Sequence, residues 1–138
     1  MKKEFRHSSL AKSIFSLKNQ PLEATVSSGN TGAMMAYSKV FLRTVENISR
    51  PAIASLFPSK NHPVCFLDLG ANSECDENNL YDFAIMGSIY YQILFPESAC
   101  KVSLLNIGSE ELKGNAVIQK THELLKNSKS INYNGFIE

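Results

Sequence analysis

The sequence has 138 residues and a formal net charge of +1, with 43% hydrophobic and 20% charged residues. This length and composition suit one folded domain with a substantial core, and they exclude disordered, collagen-like and low-complexity proteins. The near-neutral charge argues against a nucleic-acid partner, because such binders carry a strongly basic surface. The sequence shows no long apolar run and no secretory signal, and its three cysteines are widely spaced. These features predict a soluble intracellular α/β protein.

Apolar spacing and turn residues predict helices that alternate with short strands. Such alternation favours βαβ units and a mostly parallel sheet. In chain order the predicted elements are helix Ser8–Asn19, strand Leu22–Ser27, helix Ala33–Val45, strand Val64–Leu69, helix Asn78–Phe95, strand Val102–Ile107, helix Val117–Lys126 and strand Ile131–Ile137.

Three of the predicted strands are followed at once by a loop of small and polar residues. These loops are Ser27–Gly32, Asp68–Asp76 and Asn106–Asn115. In open α/β sheets, ligands bind in the crevice at the carboxyl ends of the strands. The pattern therefore predicts a ligand site at this edge, although it does not identify a reaction.

Two of the loops carry groups suited to an anion. Residues Ser28–Gly32 place two glycines, a hydroxyl and an amide before a helix, where backbone N–H groups can hold phosphate or carboxylate. An ordinary strand-to-helix turn is the alternative. Lys113 can donate three hydrogen bonds and a positive charge to an anion, or it can be a solvated surface charge.

The Asp68 loop and the histidines allow further interpretations. Asp68 ends an apolar strand, where a carboxylate needs hydrogen bonds, so it either fixes the following loop or takes part in chemistry. The sequence allows two interpretations of Cys75 in that loop, a nucleophile whose pKa a base lowers or an inert buried thiol. His62, Cys65 and Cys75 could be drawn as metal ligands, but a zinc site needs a fourth ligand and none is evident. His122 is expected on the solvated side of its helix.

Five short motifs stand in order along almost the whole chain. They are Ser27-Ser-Gly-Asn-Thr-Gly-Ala33, Ile48-Ser-Arg-Pro-Ala-Ile-Ala54, Leu67-Asp-Leu-Gly-Ala-Asn72, Phe83-Ala-Ile-Met-Gly-Ser88, and Leu104-Leu-Asn-Ile-Gly108 with Lys113-Gly-Asn115. With these motifs the sequence resembles the PlsX family, the bacterial acyl-acyl-carrier-protein:phosphate acyltransferases of phospholipid synthesis. Ser28, Glu74 and Ser109 depart mildly from the family pattern.

The resemblance implies a Rossmann-like three-layer α/β/α fold with a mostly parallel sheet, similar to the isocitrate/isopropylmalate dehydrogenase-like fold. It also implies transfer of a fatty acyl group from acyl-carrier protein to inorganic phosphate, which forms acyl phosphate without a cofactor or metal. A cytoplasmic homodimer that associates peripherally with the inner face of the membrane is a further implication. Family members are more than twice as long, so residues 1–138 are expected to be one partial domain, as a fragment, a split gene product or a decayed remnant.

The motifs also identify positions for the chemistry. The expected catalytic residues are Asn72, Lys113 and Asn115, the phosphate-binding residues are Ser28, Gly29, Asn30, Thr31 and Gly32, and the supporting residues are Arg50 and Asp68. Two other hypotheses stay open from the sequence: a Rossmann-like module that binds a nucleotide or phosphorylated metabolite, and an inactive remnant that serves only in oligomerisation.

Overall fold

The computed structural model describes residues 7–60, 62–108 and 114–138, and the chain divides into two units. The first unit ends at Pro51 and the second spans Ala52–Glu138. Each unit has its own cluster of buried side chains. In the described part of the chain, no helix combines the length and the apolarity needed to cross a bilayer.

The described residues of the first unit form helices α1 (Ser9–Asn19) and α2 (Thr31–Phe41). α1 begins within one residue of the predicted start. Ser8 is its N-cap, and the Ser8 hydroxyl accepts a hydrogen bond from the Ala11 N–H at 3.2 Å. The two helices pack through a small core that consists of Ala11, Ile14 and Tyr37.

The described residues of the second unit form two helices and four short strands. They are β1 (Ala54–Phe57), β2 (Val64–Leu67), α3 (Glu77–Leu94), β3 (Val102–Leu105), α4 (Ala116–Lys126) and β4 (Tyr133–Ile137). β1 and β2 form an antiparallel pair, whereas β3 and β4 form a parallel pair around α4. The class is therefore α/β, with two two-stranded sheets among the described residues.

The core of the second unit lies between the parallel pair and the two helices. Its buried members are Leu104, Leu125, Ile131 and Phe136, and residues of α3 pack against them. α3 also packs on β2. There Gly87 makes a close approach possible, because a Cβ at this position would lie 2.8 Å from Leu67 Cδ1.

Four of the predicted helices and three of the predicted strands are confirmed, with shifts of a few residues at their ends. The strand predicted over Leu22–Ser27 is wrong: this segment forms no strand among the described residues. Its alternation of apolar and polar residues fits a strand, but a strand also needs a partner edge, which local sequence cannot supply. Conversely, β1 and its antiparallel pairing with β2 were not predicted from the sequence.

Two expectations for the helices need correction. α2 ends at Phe41 rather than at Val45. α3 is not buried on most sides, since Ile89 and Ile93 are 55% and 72% exposed. Its buried face is formed by residues such as Phe83 that point toward the strands and α4.

Candidate functional site

The loop after β2 is held by the side chain of Asp68. Asp68 Oδ1 accepts a hydrogen bond from Asn72 Nδ2 at 2.8 Å, and Oδ2 accepts one from the Cys75 thiol at 3.4 Å. The backbone of Asp68 is left-handed, with φ of 61°, and its carbonyl accepts from the Gly70 N–H at 2.8 Å. The carboxylate thus has the hydrogen bonds that its position at the end of an apolar strand requires, and it orients the amide of Asn72.

The far end of this loop is fixed by the start of α3. Asp76 Oδ1 accepts from the Asn79 N–H at 2.8 Å, while Asn79 Oδ1 accepts from the Asp76 N–H at 3.2 Å. This reciprocal pair is a capping box, which satisfies two backbone donors at the beginning of the helix. Asn72 therefore sits in a loop whose two ends are both anchored by carboxylates.

The loop before α4 is built in a comparable way around Asn115. Asn115 caps α4, and its Oδ1 accepts from the Ile118 N–H at 3.0 Å. Gly114 precedes it with φ of 101°, and a Cβ there would lie 2.8 Å from Asn106 Oδ1 and 2.9 Å from Ile118 Cγ2. Only glycine fits this position, and the Asn106 side chain at the end of β3 lies beside it.

The predicted phosphate loop leads into α2 of the first unit. Asn30 caps α2, and its Oδ1 accepts from the Ala33 N–H at 2.9 Å. Ser27 Oγ accepts from the Gly29 N–H at 3.1 Å, which tightens the turn. The N–H groups of Thr31 and Gly32 belong to the first helical turn, where helix geometry provides no intrahelical acceptor. All five residues from Ser28 to Gly32 are exposed.

Among the expected site residues, the structure brings Asp68 and Asn72 into direct contact. Asn115 lies in the same unit, at the start of α4. The phosphate loop and Arg50 belong to the first unit, and Arg50 is exposed directly before Pro51. Lys113 lies outside the described residues.

An apolar cavity of about 570 Å³ opens within the second unit. We call it the β2–β3 slot because those two strands line it together with α3. The slot-lining residues from these segments are 64–69, 99–105 and, on α3, Leu80, Phe83, Ala84, Gly87, Ser88 and Tyr91. No group of three or more potential metal ligands stands close together in the part of the chain that the structure describes.

Two cysteines line the slot. Burial raises the pKa of the Cys65 thiol, with a smaller contribution from Cys100. Burial also raises the pKa of Cys100, against a hydrogen bond from Ser88 that lowers it. Both groups are therefore held as neutral thiols at neutral pH, which makes them poor nucleophiles.

His122 is buried rather than solvated, so the expectation for it is wrong. Its ring stacks on Phe136 with centroids 4.6 Å apart, and Nδ1 lies 2.8 Å from the Tyr133 hydroxyl. Burial raises the pKa of Tyr133 to about 12. The spacing of Ile118, His122 and Leu125 along α4 is the sequence signal that places His122 on the inner face.

The chain matches the family described as "Fatty acid synthesis protein" over residues 2–138. It is 44% identical over 138 residues to the phosphate acyltransferase of Pelagibacter ubique, and this match covers 99% of this chain and 41% of the relative. It is 47% identical over 133 residues to that of Wolbachia pipientis and 46% identical over 134 residues to that of Shewanella sp. strain ANA-3, each match covering 96% of this chain and 39% of the relative.

The chain thus spans about 40% of the length of the curated relatives it matches. The match runs through the Asp68 loop, the Asn115 cap and the loop before α2, which are the parts that the sequence motifs single out. The chain belongs to the fatty acid synthesis protein family, the PlsX family that its motifs resemble.

Proposed function

We propose that this chain supplies part of the active site of a phosphate acyltransferase, which transfers a fatty acyl group from acyl-carrier protein to inorganic phosphate. The observation that carries the proposal is the Asn72 amide held on Asp68 at 2.8 Å, in a chain 44% identical to a phosphate acyltransferase over its whole matched length. The product is an acyl phosphate for phospholipid synthesis.

The reaction sets two requirements for the protein. A phosphate oxygen attacks the thioester carbonyl, the carbon–sulfur bond breaks, and the thiolate of the carrier leaves. The phosphate dianion must be held close to the carbonyl carbon, and the oxyanion of the tetrahedral intermediate needs hydrogen-bond donors. Direct attack by phosphate requires no protein nucleophile, which is compatible with the neutral thiols at Cys65 and Cys100.

The proposed roles follow from the donors that each residue offers. Residues Ser28–Gly32 and Lys113 hold the phosphate through backbone N–H groups and a positive charge, with Arg50 adding charge. Asn72, oriented by Asp68, donates to the oxyanion or positions the substrate. Asn115 uses its oxygen as the helix cap, so its amide nitrogen is the group that would contact a substrate oxygen.

We also propose that residues 1–138 belong to one α/β domain of the Rossmann-like, isocitrate/isopropylmalate dehydrogenase-like type. The parallel pair β3–β4 joined by α4 supports this, since it is one βαβ unit of such a fold. By analogy with the family, we also propose that the protein is a cytoplasmic homodimer that associates peripherally with the membrane.

The test uses a chimera in which residues 1–138 replace the matched part of the Pelagibacter ubique phosphate acyltransferase. We expect acyl-phosphate formation by the chimera and its loss with Asn72→Ala. Lys113→Ala should raise the phosphate concentration needed for half-maximal rate by about tenfold, the effect of losing one charge-assisted contact. Lys126→Ala on the last turn of α4 is the matched control and should leave this concentration unchanged.

Asn115→Asp separates the cap from the proposed chemistry at that position. Aspartate caps helices as well as asparagine does, so the stability should be kept while the amide donor is lost. Full activity of Asn115→Asp, or an unchanged phosphate dependence of Lys113→Ala, would contradict the assigned role. A chimera that is stabilised by nucleotides but forms no acyl phosphate would favour the binding-module hypothesis.

A further inference from the structure

The β2–β3 slot lies along the edges of two strands rather than on a face of either. Six consecutive residues from β2 onward (64–69) and seven through β3 (99–105) line it. Consecutive side chains of a strand point to opposite faces, so a cavity in contact with only one face would touch every second residue. Contact with an unbroken run shows that the slot runs beside each strand.

The backbone hydrogen bonds of β2 show which of its groups face the slot. The Asp68 N–H donates to Ile53 O at 2.9 Å on the β1 side, and Phe66 pairs with Ser55 in the same ladder. Because N–H groups alternate between the two edges of a strand, those of Cys65 and Leu67 point away from β1 and toward the slot.

The backbone N–H groups of β3 alternate in the same way. The Val102 N–H donates to Asn132 O at 2.9 Å and the Asn106 N–H to Ile137 O at 2.8 Å, both on the β4 side. The N–H groups of Ser103 and Leu105 therefore point to the opposite edge. That edge and the outer edge of β2 both border the slot, and α3 closes one side of it with residues three or four positions apart.

Two occupants fit an apolar cavity of this kind, a hydrocarbon chain and a β-strand. A hydrocarbon chain would leave the edge N–H and C=O groups of β2 and β3 without acceptors and donors, and burying unpaired backbone groups is unfavourable. An extended strand would pair with both edges and bury its side chains against α3. The geometry therefore favours a strand of about five or six residues, the common strand length.

The share of the family sequence outside this chain supplies a source for that strand. The chain covers 41% of the Pelagibacter ubique relative, so more than half of the relative lies beyond the match. We propose that the β2–β3 slot receives an extended apolar β-strand from the part of the family sequence outside these 138 residues. The strand joins the two pairs into one five-stranded sheet with the order β1, β2, added strand, β3, β4.

The test uses the full 138-residue chain and overlapping synthetic peptides that cover the unmatched part of the Pelagibacter ubique relative. Amide hydrogen exchange is followed residue by residue. With a peptide at about ten times its Kd, exchange of the slot-facing amides of Cys65, Leu67, Ser103 and Leu105 should slow about tenfold. The amides of Phe66 and Val102, which already face a paired strand, should change little.

Thiol alkylation and a proline variant provide independent measurements. The peptide should slow alkylation of Cys65 and Cys100, which line the slot, and leave Cys75 in the Asp68 loop unchanged. Leu105→Pro removes one slot-facing N–H without removing a bond to β4, so the chain should fold and bind the peptide more weakly. Ile107→Pro, beyond the end of β3, is the matched control and should bind normally.

Three results would overturn the proposal. The first is that no peptide protects the four slot-facing amides. The second is that these amides are already protected in the chain alone at low concentration, because the slot would then be closed by the chain itself. The third is protection that rises with chain concentration and without peptide, because a second copy would then be the occupant.

Discussion

Asp68 combines a left-handed backbone with two accepted side-chain hydrogen bonds, and substitution can separate these features. Asp68→Ala should lower the free energy of unfolding of the second unit by about 2–3 kcal/mol, because alanine is strained at positive φ and accepts no side-chain bond. Asp68→Asn should cost less than about 1 kcal/mol, because asparagine tolerates this backbone and can still accept from Asn72. Urea titration of amide NMR signals of α3 measures both values. Equal losses for the two variants would show that the hydrogen bonds and backbone tolerance are not what stabilises the loop.

Tyr133 gives the second unit a pH dependence in the alkaline range. Burial raises the pKa of Tyr133 to about 12 in the folded chain, against an ordinary value of 10. The folded state therefore holds this proton more tightly, so the stabilisation is complete below about pH 10 and is lost as the pH rises to about 12. Tyr133→Phe should be less stable than the native chain at neutral pH, since the contact with His122 is lost, and should show a flatter decline between pH 10 and 12. Parallel declines in urea titrations of the two proteins would contradict this account.

The sequence was informative at the residue scale where the requirement is local. A carboxylate at the end of an apolar strand needs hydrogen bonds, and Asp68 has them within seven residues of the chain. His122 shows the opposite case. Its spacing from Ile118 and Leu125 indicates the inner face of α4, but its partners Tyr133 and Phe136 lie 11 and 14 positions away in β4, and local sequence does not identify them.

At the scale of elements, Gly87 controls how closely α3 approaches β2. Alanine at this position gains about 1 kcal/mol of helix propensity, but its Cβ would lie 2.8 Å from Leu67 Cδ1. We expect Gly87→Ala to lower the free energy of unfolding by about 1 kcal/mol, because overpacking costs more than the propensity gain.

In a Leu67→Ala background the contact with Leu67 Cδ1 is absent, so Gly87→Ala should raise the free energy of unfolding by about 1 kcal/mol. The double-mutant cycle, measured by urea unfolding, should give a coupling of about 2 kcal/mol. The same effect of Gly87→Ala in both backgrounds would rule out the contact as its cause.

The helices were easier to predict than the strands for a physical reason. The four helices of the described residues begin at polar caps next to them in the chain, as Ser8 and Asn115 illustrate, so their requirements are local. A strand is stabilised by its neighbour, and the neighbour is remote in sequence. Leu22–Ser27 has the right alternation but pairs with no strand among the described residues, while β1 was not predicted although it pairs with β2 along its whole length.

At the scale of the whole molecule, the candidate site is distributed over segments that the chain builds separately. The Asp68 loop and the Asn115 cap belong to the second unit, and the loop before α2 belongs to the first. The sequence motifs identify these positions through the family resemblance, whereas periodicity and spacing alone leave them as ordinary turns and caps. Local capping geometry explains why each loop has its shape.

The two units also differ in the size of their cores, and this predicts a difference in local stability. The buried apolar side chains of the first unit are Ala11, Ile14 and Tyr37, whereas the second unit buries Leu104, Leu125, Ile131 and Phe136 around its parallel pair. Each additional buried Leu, Ile or Phe contributes about 1.5–3 kcal/mol.

Amides of α1 and α2 should therefore exchange through openings that cost at least about 2 kcal/mol less than those of α3 and α4. Native-state hydrogen exchange at low urea concentrations measures both sets in one sample. Ile14→Ala, which removes the largest fully buried side chain of the first unit, should increase the exchange of α1 and α2 amides further. Equal opening free energies in the two helix pairs of the native chain would mean that core size does not set their local stability.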